Sequence, residues 1–336
     1  MAQPTAYPLV LRPILKEKVW GGRALEAFGK PLAPGVNIGE SWELADLAST
    51  SASGGGGGAE HSIIENGPLA GRTIRDASAQ LGADLLGKAS LTPSGGFPLL
   101  VKFLDAREHL SVQVHPSPAY ADSHPGANLK TECWYIMAAA PGAVIYKGIK
   151  PGVDRATFSR HIQTGEVVGD MIAIPAVVGD CHNLPSGTCH ALGAGVLVAE
   201  VQTPSDTTYR VFDWGRSGRE LHVEQALECI HFGPCEPATR VPAGQTRGRL
   251  VTTEFFTVDG LRLPQGGRAR LADDPVSVGT AGGPIVVTML EGTLSIITAE
   301  AVTRLRTGQT CLIPASIAAS SAVLAESPVN AILASV

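Results

Sequence analysis

The sequence predicts a mainly β protein made of two related β-barrels with a small helical part. The first observation is the composition: 44% of the 336 residues are hydrophobic and 17% are charged, which is too apolar for a disordered chain. The second is the abundance of turn-forming residues, 39 Gly and 24 Pro, which disfavours a helical bundle. The third is a turn motif, G-x-x-x-x-x-P, repeated between apolar runs at Gly179–Pro185 and Gly308–Pro314.

The first hundred residues mix predicted helices with strands. Residues 16–28 are predicted to be helical, and 38–47 (IGESWELADL) are typical of a strand. The five successive glycines at 54–58 predict a flexible surface loop, since no Lys-Ser/Thr follows them as in a phosphate-binding loop. Residues 70–88 are rich in Ala and Leu at helical spacing, and this predicted helix ends at Gly87.

From Phe97 onward the pattern is that of β structure. The runs FPLLVKFLDA, LSVQVHP and ECWYIMAAA are short, apolar or alternating, and Pro and Gly separate them. Residues 154–174 interrupt this pattern with a predicted helical stretch. Beyond Pro242 the chain again predicts short strands, which indicates a second β unit.

Charge and cysteine usage exclude several classes of protein. The formal net charge is −5 and the Lys and Arg residues are scattered, so we expect no nucleic-acid partner. No apolar run approaches the roughly 18 residues of a membrane span, and the start lacks a signal-peptide pattern, so we expect a cytoplasmic protein without membrane contact. The six cysteines form no C-x-x-C pair and are expected to be free thiols.

Two candidate metal ligands lie in LSVQVHP. Gln113 and His115 are two residues apart on a predicted strand, so their side chains leave the same face. An amide oxygen and an imidazole nitrogen can each give one lone pair to a divalent cation. By themselves these two residues are equally compatible with an ordinary hydrogen-bonded histidine beside a strand glutamine.

A third candidate, His190, follows the first copy of the repeated turn motif. Gly179, Pro185, Gly187 and His190 fit the pattern G-x5-P-x-G-x2-H, which resembles the second signature of the cupin superfamily. Pro and Gly form the tight turn that directs the following histidine into the barrel. His182 lies in the same segment and is predicted to be structural.

A carboxylate completes the candidate set. Glu132 opens the apolar run ECWYIM just downstream of Gln113 and His115. Together with His190 these residues supply three neutral ligands and one anion, which suits a Zn²⁺ ion that keeps a position for water or substrate. Glu132 alone would be read as a solvated charge at the edge of a strand.

Several motifs, in this order along the chain, resemble the type I mannose-6-phosphate isomerases in their short bacterial form. They are VWGG, GESWE, ENGPLAGRT, FPLLVKFLDA, LSVQVHP, K-x-E-x-W-Y, P-S-G-T-x-H-A-L-G and SDTTYRVFDWGR, and they cover roughly residues 10–235. The resemblance implies a pair of cupin barrels with a helical part. It also implies one zinc ion per chain, bound by Gln113, His115, Glu132 and His190.

The resemblance also implies roles for three further residues. Ser111 and Lys130 are expected to contact the substrate or its phosphate group, and Arg210 is expected to be catalytic or to stabilise the transition state. From chemistry alone, Arg210 could equally be a surface charge on a strand. The implied partner is a small sugar phosphate, and the chain is expected to be a monomer or a homodimer.

Only the first copy of the turn motif leads to a histidine, so only the first β unit is predicted to bind metal. We therefore expect a catalytic domain at residues 1–240 that includes a helical insertion at about 116–175. Residues 241–336 are expected to form a degenerate cupin-like β domain without metal ligands.

The implied reaction is zinc-dependent interconversion of mannose 6-phosphate and fructose 6-phosphate through a cis-enediol. It needs a group that stabilises charge developing on oxygen and a base that moves a proton from C2 to C1. For the base, Lys130, Glu43 and a metal-bound water stay open, while His109 and His124 are expected to be bystanders. Two other functions remain: a non-catalytic sugar-phosphate binding or sensor protein, and an iron-dependent cupin oxygenase, against which Gln113 argues.

Overall fold

The computed structural model describes residues 5–51, 56–233, 235–272 and 282–336. Its strands, in chain order, are β1 (Leu9–Arg12), β2 (Ile14–Gly22), β3 (Ile38–Leu44), β4 (Asp46–Leu47), β5 (Glu60–His61), β6 (Ile63–Ile64), β7 (Leu100–Ala106), β8 (Val112–Val114), β9 (Glu132–Ala139), β10 (Val144–Ile149), β11 (Met171–Pro175), β12 (Cys181–Leu184), β13 (His190–Leu192), β14 (Val196–Gln202) and β15 (Tyr209–Phe212). They continue with β16 (Arg247–Thr252), β17 (Thr257–Leu263), β18 (Arg268–Arg270), β19 (Ile285–Glu291), β20 (Thr293–Ile297), β21 (Val302–Arg306), β22 (Thr310–Ile313), β23 (Ala322–Ala325) and β24 (Val329–Ser335). The prediction of a mainly β fold is confirmed.

The helices are short and few by comparison. They are α1 (Ile74–Leu81), α2 (Ala83–Leu86), α3 (Pro118–Ser123), α4 (Arg155–Thr164), α5 (Val223–Cys229) and α6 (Ala315–Ala318), with 3-10 turns at Ala24–Phe28, Gly67–Leu69 and Val167–Asp170. Among the described residues, no helix has the length and apolar character needed to cross a membrane.

Helix α1 begins at a capping box in which Thr73 and Asp76 exchange side-chain and backbone hydrogen bonds. The predicted helix at 70–88 is therefore present, although Gly82 divides it into α1 and α2. Gly87 follows the end of α2, as the sequence predicts. In the glycine loop, Gly54 and Gly55 lie outside the described residues, and 56–58 are exposed.

Two predictions of helix are corrected. Residues 14–22 form strand β2, which pairs with β3 over registers such as Lys16↔Glu40, and only 24–28 form a 3-10 turn. Pairing with a distant strand overrides the helix-forming residues of this segment. The range 116–175 contains helices α3 and α4, but strands β9, β10 and β11 lie within the same range, so the helical part is narrower than expected.

Two antiparallel sheets hold the candidate ligands. One has the strand order β12-β9-β14-β7-β3-β2, and the other has the order β11-β10-β13-β8-β15. Side chains alternate between the two faces of each strand. On β9, Cys133 and Tyr135 join the main apolar core, whereas Glu132 and Trp134 lie on the opposite face.

A seven-stranded sheet of order β16-β17-β24-β19-β22-β1-β6 packs against the outer face of the six-stranded sheet. Most of its strands come from the last ninety residues, but β1 and β6 come from the beginning of the chain. Register pairs such as Leu9↔Leu312 join the two ends of the chain in one sheet. A further sheet of order β18-β23-β20-β21 encloses a second apolar core with it.

The outer face of the five-stranded sheet is covered by helices α4 and α5. Val112 and Val114 of β8 point outward into an apolar cluster that contains Phe158 of α4 and Ala226 of α5. Because Gln113 lies between these two valines, it points the other way, towards the six-stranded sheet.

The repeated turn has the same local form in both copies. Gly179 and Gly308 have φ angles of 90° and 80°, a region that favours glycine. Each is followed by a four-residue strand, β12 or β22, that ends just before the proline of the motif.

Candidate metal centre and substrate cleft

Three candidate ligands meet between the five- and six-stranded sheets. The potential ligand atoms of His115, Glu132 and His190 all lie within 4.8 Å of one another, and all three residues are buried. Glu132 Oε1 lies 3.2 Å from His190 Nε2, and Glu132 Oε2 lies 3.4 Å from His115 Nε2. Strand β13 brings His190 opposite Gln113 of β8, while β9 presents Glu132 from the facing sheet.

Backbone carbonyls determine the tautomer of both histidines. His115 Nδ1 lies 3.0 Å from the carbonyl oxygen of Thr207, and His190 Nδ1 lies 2.8 Å from that of Thr188. A carbonyl oxygen only accepts, so each Nδ1 carries the proton and each Nε2 keeps a lone pair. Both lone pairs are thus available near the carboxylate of Glu132.

Three buried polar atoms of this cluster lack hydrogen-bond partners among the described residues. They are His115 Nε2 and both carboxylate oxygens of Glu132. Lys130 Nζ lies 2.8 Å from Glu132 Oε2 and forms an ion pair with it, but outside hydrogen-bonding geometry. Buried polar atoms are nearly always paired, so a divalent cation bound by these atoms would satisfy them. The residues therefore fit a metal ion.

The protonation states agree with such a site. Burial and the nearby Lys130 cation lower the pKa of His115 to about 3, so its imidazole is neutral at physiological pH. Burial alone would raise the pKa of Glu132, but the Lys130 cation holds it well below its usual value. A neutral imidazole and an ionised carboxylate are the forms that bind a metal.

Gln113 extends the cluster on one side. Its Nε2 lies 3.3 Å from His190 Nε2, and its Oε1 accepts a hydrogen bond of 3.3 Å from Ser111 Oγ. Rotating the amide by half a turn about its terminal bond exchanges the two atoms and places the oxygen beside the histidines. Gln113 is therefore close enough to serve as a fourth ligand.

A cleft rich in charge opens beside the cluster. Its lining residues are Lys18, Trp20, Glu40, Trp42, Lys102, Leu104, Leu110, Ser111, Gln113, Lys130, Glu200, Asp206, Thr208, Arg210 and Arg219. Among these, five side chains are cationic and three are anionic. The cleft thus carries a surplus of positive charge next to a candidate metal site.

Arg210, for which the family resemblance implies a catalytic role, lies in this cleft. Strand β15 pairs Arg210 with Gln113 of β8. Its Nε donates to Ser111 Oγ at 3.3 Å, and its Nη1 donates to the backbone oxygen of Glu220 at 2.7 Å. Ser111, Gln113, Lys130 and Arg210 therefore share one cleft.

Sequence reasoning missed several charged residues of the cleft. Lys102 Nζ lies 3.2 Å from Glu200 Oε1 and 3.9 Å from Glu40 Oε2. Although burial opposes its charge, these carboxylates raise the pKa of Lys102 above its usual value. Trp134 Nε1 donates to the other oxygen of Glu200 at 2.9 Å. The sequence does contain a signal for Lys102 and Glu200, because each is a single charged residue inside an apolar run, LLVKFL and VLVAEV. Charged residues are rarely buried without a partner, so two such runs indicate a buried ion pair.

Glu43, one of the open choices for a base, lies elsewhere. It is 1% exposed on the face of β3 opposite the cleft, where it accepts hydrogen bonds from Lys30 Nζ at 2.7 Å and Ser41 Oγ at 2.6 Å. His109 stacks on Trp214, and the exposed His124 stacks on Tyr120. Neither histidine belongs to the metal cluster.

Comparison with known proteins identifies the chain. The model of the family described as phosphomannose isomerase type I, catalytic domain, matches residues 9–142. Mannose-6-phosphate isomerase ManA of Bacillus subtilis is 33% identical over 327 residues, which are 92% of this chain and 94% of that protein. The mannose-6-phosphate isomerase of Streptococcus mutans is 36% identical over 264 residues, 75% of this chain and 78% of its own. The chain belongs to the type I mannose-6-phosphate isomerase family.

Solved structures of this family share the fold. The mannose 6-phosphate isomerase of Bacillus subtilis superposes with a TM-score of 0.80 at 28% identity, covering 99% of this chain and all of that one. A zinc-bound mannose 6-phosphate isomerase superposes with a TM-score of 0.70 at 17% identity, covering 98% of each chain. The resemblance to this family is thereby confirmed.

Proposed function

We propose that this chain is an aldose-ketose isomerase that interconverts mannose 6-phosphate and fructose 6-phosphate with one zinc ion. The observation that carries the proposal is the buried convergence of His115, Glu132 and His190 beside a cationic cleft, in a chain of this isomerase family. A non-catalytic sugar-phosphate sensor is the alternative, and no feature of the site favours it.

His115, Glu132, His190 and Gln113 would hold the zinc ion. When bound there, zinc supplies a Lewis acid next to the cleft. The chain's own residues prepare this site, because the carbonyls of Thr207 and Thr188 orient both imidazoles with their lone pairs inward.

The charge of the cleft suits a sugar phosphate. Five cationic and three anionic lining side chains leave a surplus of two positive charges, which matches a phosphate monoester with its charge of about −1.5 to −2. We propose Ser111 and Lys130 as substrate contacts. Ser111 Oγ lies between Arg210 and Gln113, and Lys130 Nζ lies beside Glu132, so each borders both the cleft and the metal cluster.

Arg210 and Lys130 are the proposed catalytic residues. The isomerisation moves a proton from C2 to C1 through a cis-enediol, and negative charge develops on a substrate oxygen. A guanidinium held by Ser111 and the Glu220 carbonyl is pre-organised to donate to that oxygen. For the proton transfer, Lys130 is favoured over Glu43 as the base, because Lys130 lines the cleft and Glu43 faces away from it.

We also propose the two-barrel cupin organisation. Residues 1–240 would form the catalytic domain around the five- and six-stranded sheets, and residues 241–336 a related domain without ligands. Strands β1 and β6 are exceptions to this division, because they pair within the seven-stranded sheet of the C-terminal part. The matching turns at Gly179 and Gly308 support this proposal. A cytoplasmic location, a monomeric or homodimeric state and the lack of a nucleic-acid partner stay predictions from the sequence.

The test combines metal analysis with a coupled assay of mannose 6-phosphate conversion. We expect about one zinc per chain, turnover that is lost on chelation, and recovery when zinc is restored. The variant His190→Ala should lose both zinc and turnover. A protein that binds mannose 6-phosphate but does not convert it with zinc bound would be a sensor, and the proposal would fail.

A further inference from the structure

The segment 213–222, which we call the strap, follows β15 and returns to the cleft. Gly215 and Gly218, with φ angles of 77° and 85°, form its turns. At its end, the backbone of His222 donates to the Arg210 carbonyl at 2.8 Å. The strap therefore starts and finishes beside Arg210, and it carries Arg219 into the cleft lining between these points.

The strap is anchored to the residues just before β8. Trp214, with a φ of 57°, stacks on His109 with ring centroids 4.2 Å apart and donates from Nε1 to the Leu110 carbonyl at 2.6 Å. Arg216 Nη2 donates to the His109 carbonyl at 2.8 Å and to Asp213 Oδ1 at 2.7 Å. Since a bulky residue at positive φ is strained, these contacts hold a specific loop conformation.

The donors of Arg219 are only partly used. Its Nη1 donates to both oxygens of the buried Asp213, at 3.1 and 3.3 Å, and these are the hydrogen bonds it makes among the described residues. Its side chain is 23% exposed and lines the cleft. Nε and Nη2 thus remain available to a ligand with oxygen acceptors.

The surroundings of Arg219 favour an anion. A second guanidinium, that of Arg210, faces the same cleft, and burial together with the charge of Arg219 lowers the pKa of Arg210. Asp213 and Glu40 offset part of the positive charge at Arg219, and an anion bound between the two arginines would lower their mutual repulsion further. Arg216 shares Asp213 with Arg219 but is not among the lining residues of the cleft.

We propose that Arg219 binds the phosphate group of the substrate and makes the enzyme selective for phosphorylated sugars. This inference rests on the proposed function for the identity of the sugar phosphate. A guanidinium that lines a cleft and uses only Nη1 on one carboxylate keeps donors with which it can bind two phosphate oxygens in the manner typical of arginine.

The test compares Arg219→Gln with the control Arg240→Gln, since Arg240 also pairs with an aspartate, Asp180, but neither lines the cleft nor belongs to the strap. In the coupled assay, Arg219→Gln should raise KM for mannose 6-phosphate by about 10- to 100-fold, with a larger change in KM than in kcat. Competitive inhibition by inorganic phosphate should weaken by a similar factor. Arg240→Gln should stay within about threefold of the wild type because an exposed ion pair contributes little, and the KM of Arg219→Lys should fall between those of Arg219→Gln and the wild type.

A second measurement needs no turnover. Inorganic phosphate is titrated calorimetrically into the zinc-loaded wild type and the Arg219→Gln variant, with zinc content and thermal unfolding recorded for both. Weaker phosphate binding in a folded, zinc-loaded variant supports the role of Arg219 even if the chain converts no mannose 6-phosphate. Equal phosphate affinity in the two proteins, or an equal rise in KM for Arg240→Gln, would overturn the proposal.

Discussion

The buried ion pair between Lys30 and Glu43 offers a sharp test of which face of β3 serves the site. Its side chains are 3% and 1% exposed, and Lys30 Nζ also donates to the Gly308 carbonyl, so the pair links β3 to the C-terminal part of the chain. Replacing Lys30 with Met leaves the Glu43 carboxylate buried without its cation. We expect a loss of stability with little loss of turnover.

The magnitude follows from the geometry. At the observed 2.7 Å, two unit charges attract by about 6 kcal/mol at an effective dielectric constant of about 20. Desolvation offsets part of this, and breaking such a buried pair costs about 3–5 kcal/mol. With an unfolding entropy of about 2.1 cal/mol/K per residue, a 336-residue chain has about 0.7 kcal/mol/K, so Tm should fall by about 4–7 °C.

The loss should also depend on pH. Burial raises the pKa of Glu43 even with Lys30 present, and removing Lys30 raises it further. A carboxyl whose folded pKa is raised keeps its proton in the native state, so stability declines as pH rises from the unfolded pKa through the folded one. The loss of stability in Lys30→Met should therefore be smallest at acid pH, where Glu43 is protonated, and should grow as the pH rises.

Thermal unfolding at several pH values, with the coupled assay below Tm, measures these effects. Lys88→Met, at an exposed lysine, is the control and should change Tm by less than about 1 °C. The double variant Lys30→Met/Glu43→Gln should recover part of the loss because no charge remains buried. An unchanged Tm together with a turnover loss above about 100-fold in Glu43→Gln would place Glu43 in the catalytic site and refute the reasoning.

Three further predictions concern the site and its surroundings. Glu132→Gln should weaken zinc binding by more than about tenfold in metal analysis after dialysis, while the exposed Glu254→Gln keeps its zinc; equal zinc in both would remove Glu132 from the ligand set. Lys130→Met should raise KM for mannose 6-phosphate by about tenfold or more with zinc retained, and loss of zinc would contradict its role as a substrate contact. Burial lowers the pKa of His182 to about 4. As the pH falls, the unfolded chain therefore binds a proton at His182 before the folded chain does. The free energy of unfolding of the wild type should fall by up to roughly 3 kcal/mol between pH 6.5 and 4. His182→Phe should lose less over that range in denaturant titrations, and parallel losses would show that other groups cause the acid sensitivity.

Local patterns in the sequence were enough to predict the family, the types of metal ligand and the fold class. The motifs around Gln113, Lys130 and Arg210 predicted the isomerase family, and the comparisons confirm it. Residue types also indicated zinc chemistry, because amide, imidazole and carboxylate groups at these spacings are what a divalent ion requires. The mainly β fold followed from turn residues and alternation, which act over a few neighbouring positions.

Segment 16–28 shows where such local rules fail. Its Lys and Glu residues favour a helix, yet 14–22 form β2 because Lys16 and its neighbours pair with β3. The backbone hydrogen bonds and the shared apolar face of a sheet come from partners that no local window contains.

By itself, the sequence determined the family, the mainly β class and the kinds of ligand, because each depends on residue identity and short spacing. Only the tertiary structure decided which carboxylates meet the cleft. Glu40 and Glu43 are three residues apart on β3 and so lie on opposite faces, but which face meets the metal cluster depends on how the sheets pack. The same holds for Arg219, which reaches the cleft only because contacts with His109 and Leu110, more than a hundred positions away, hold the strap.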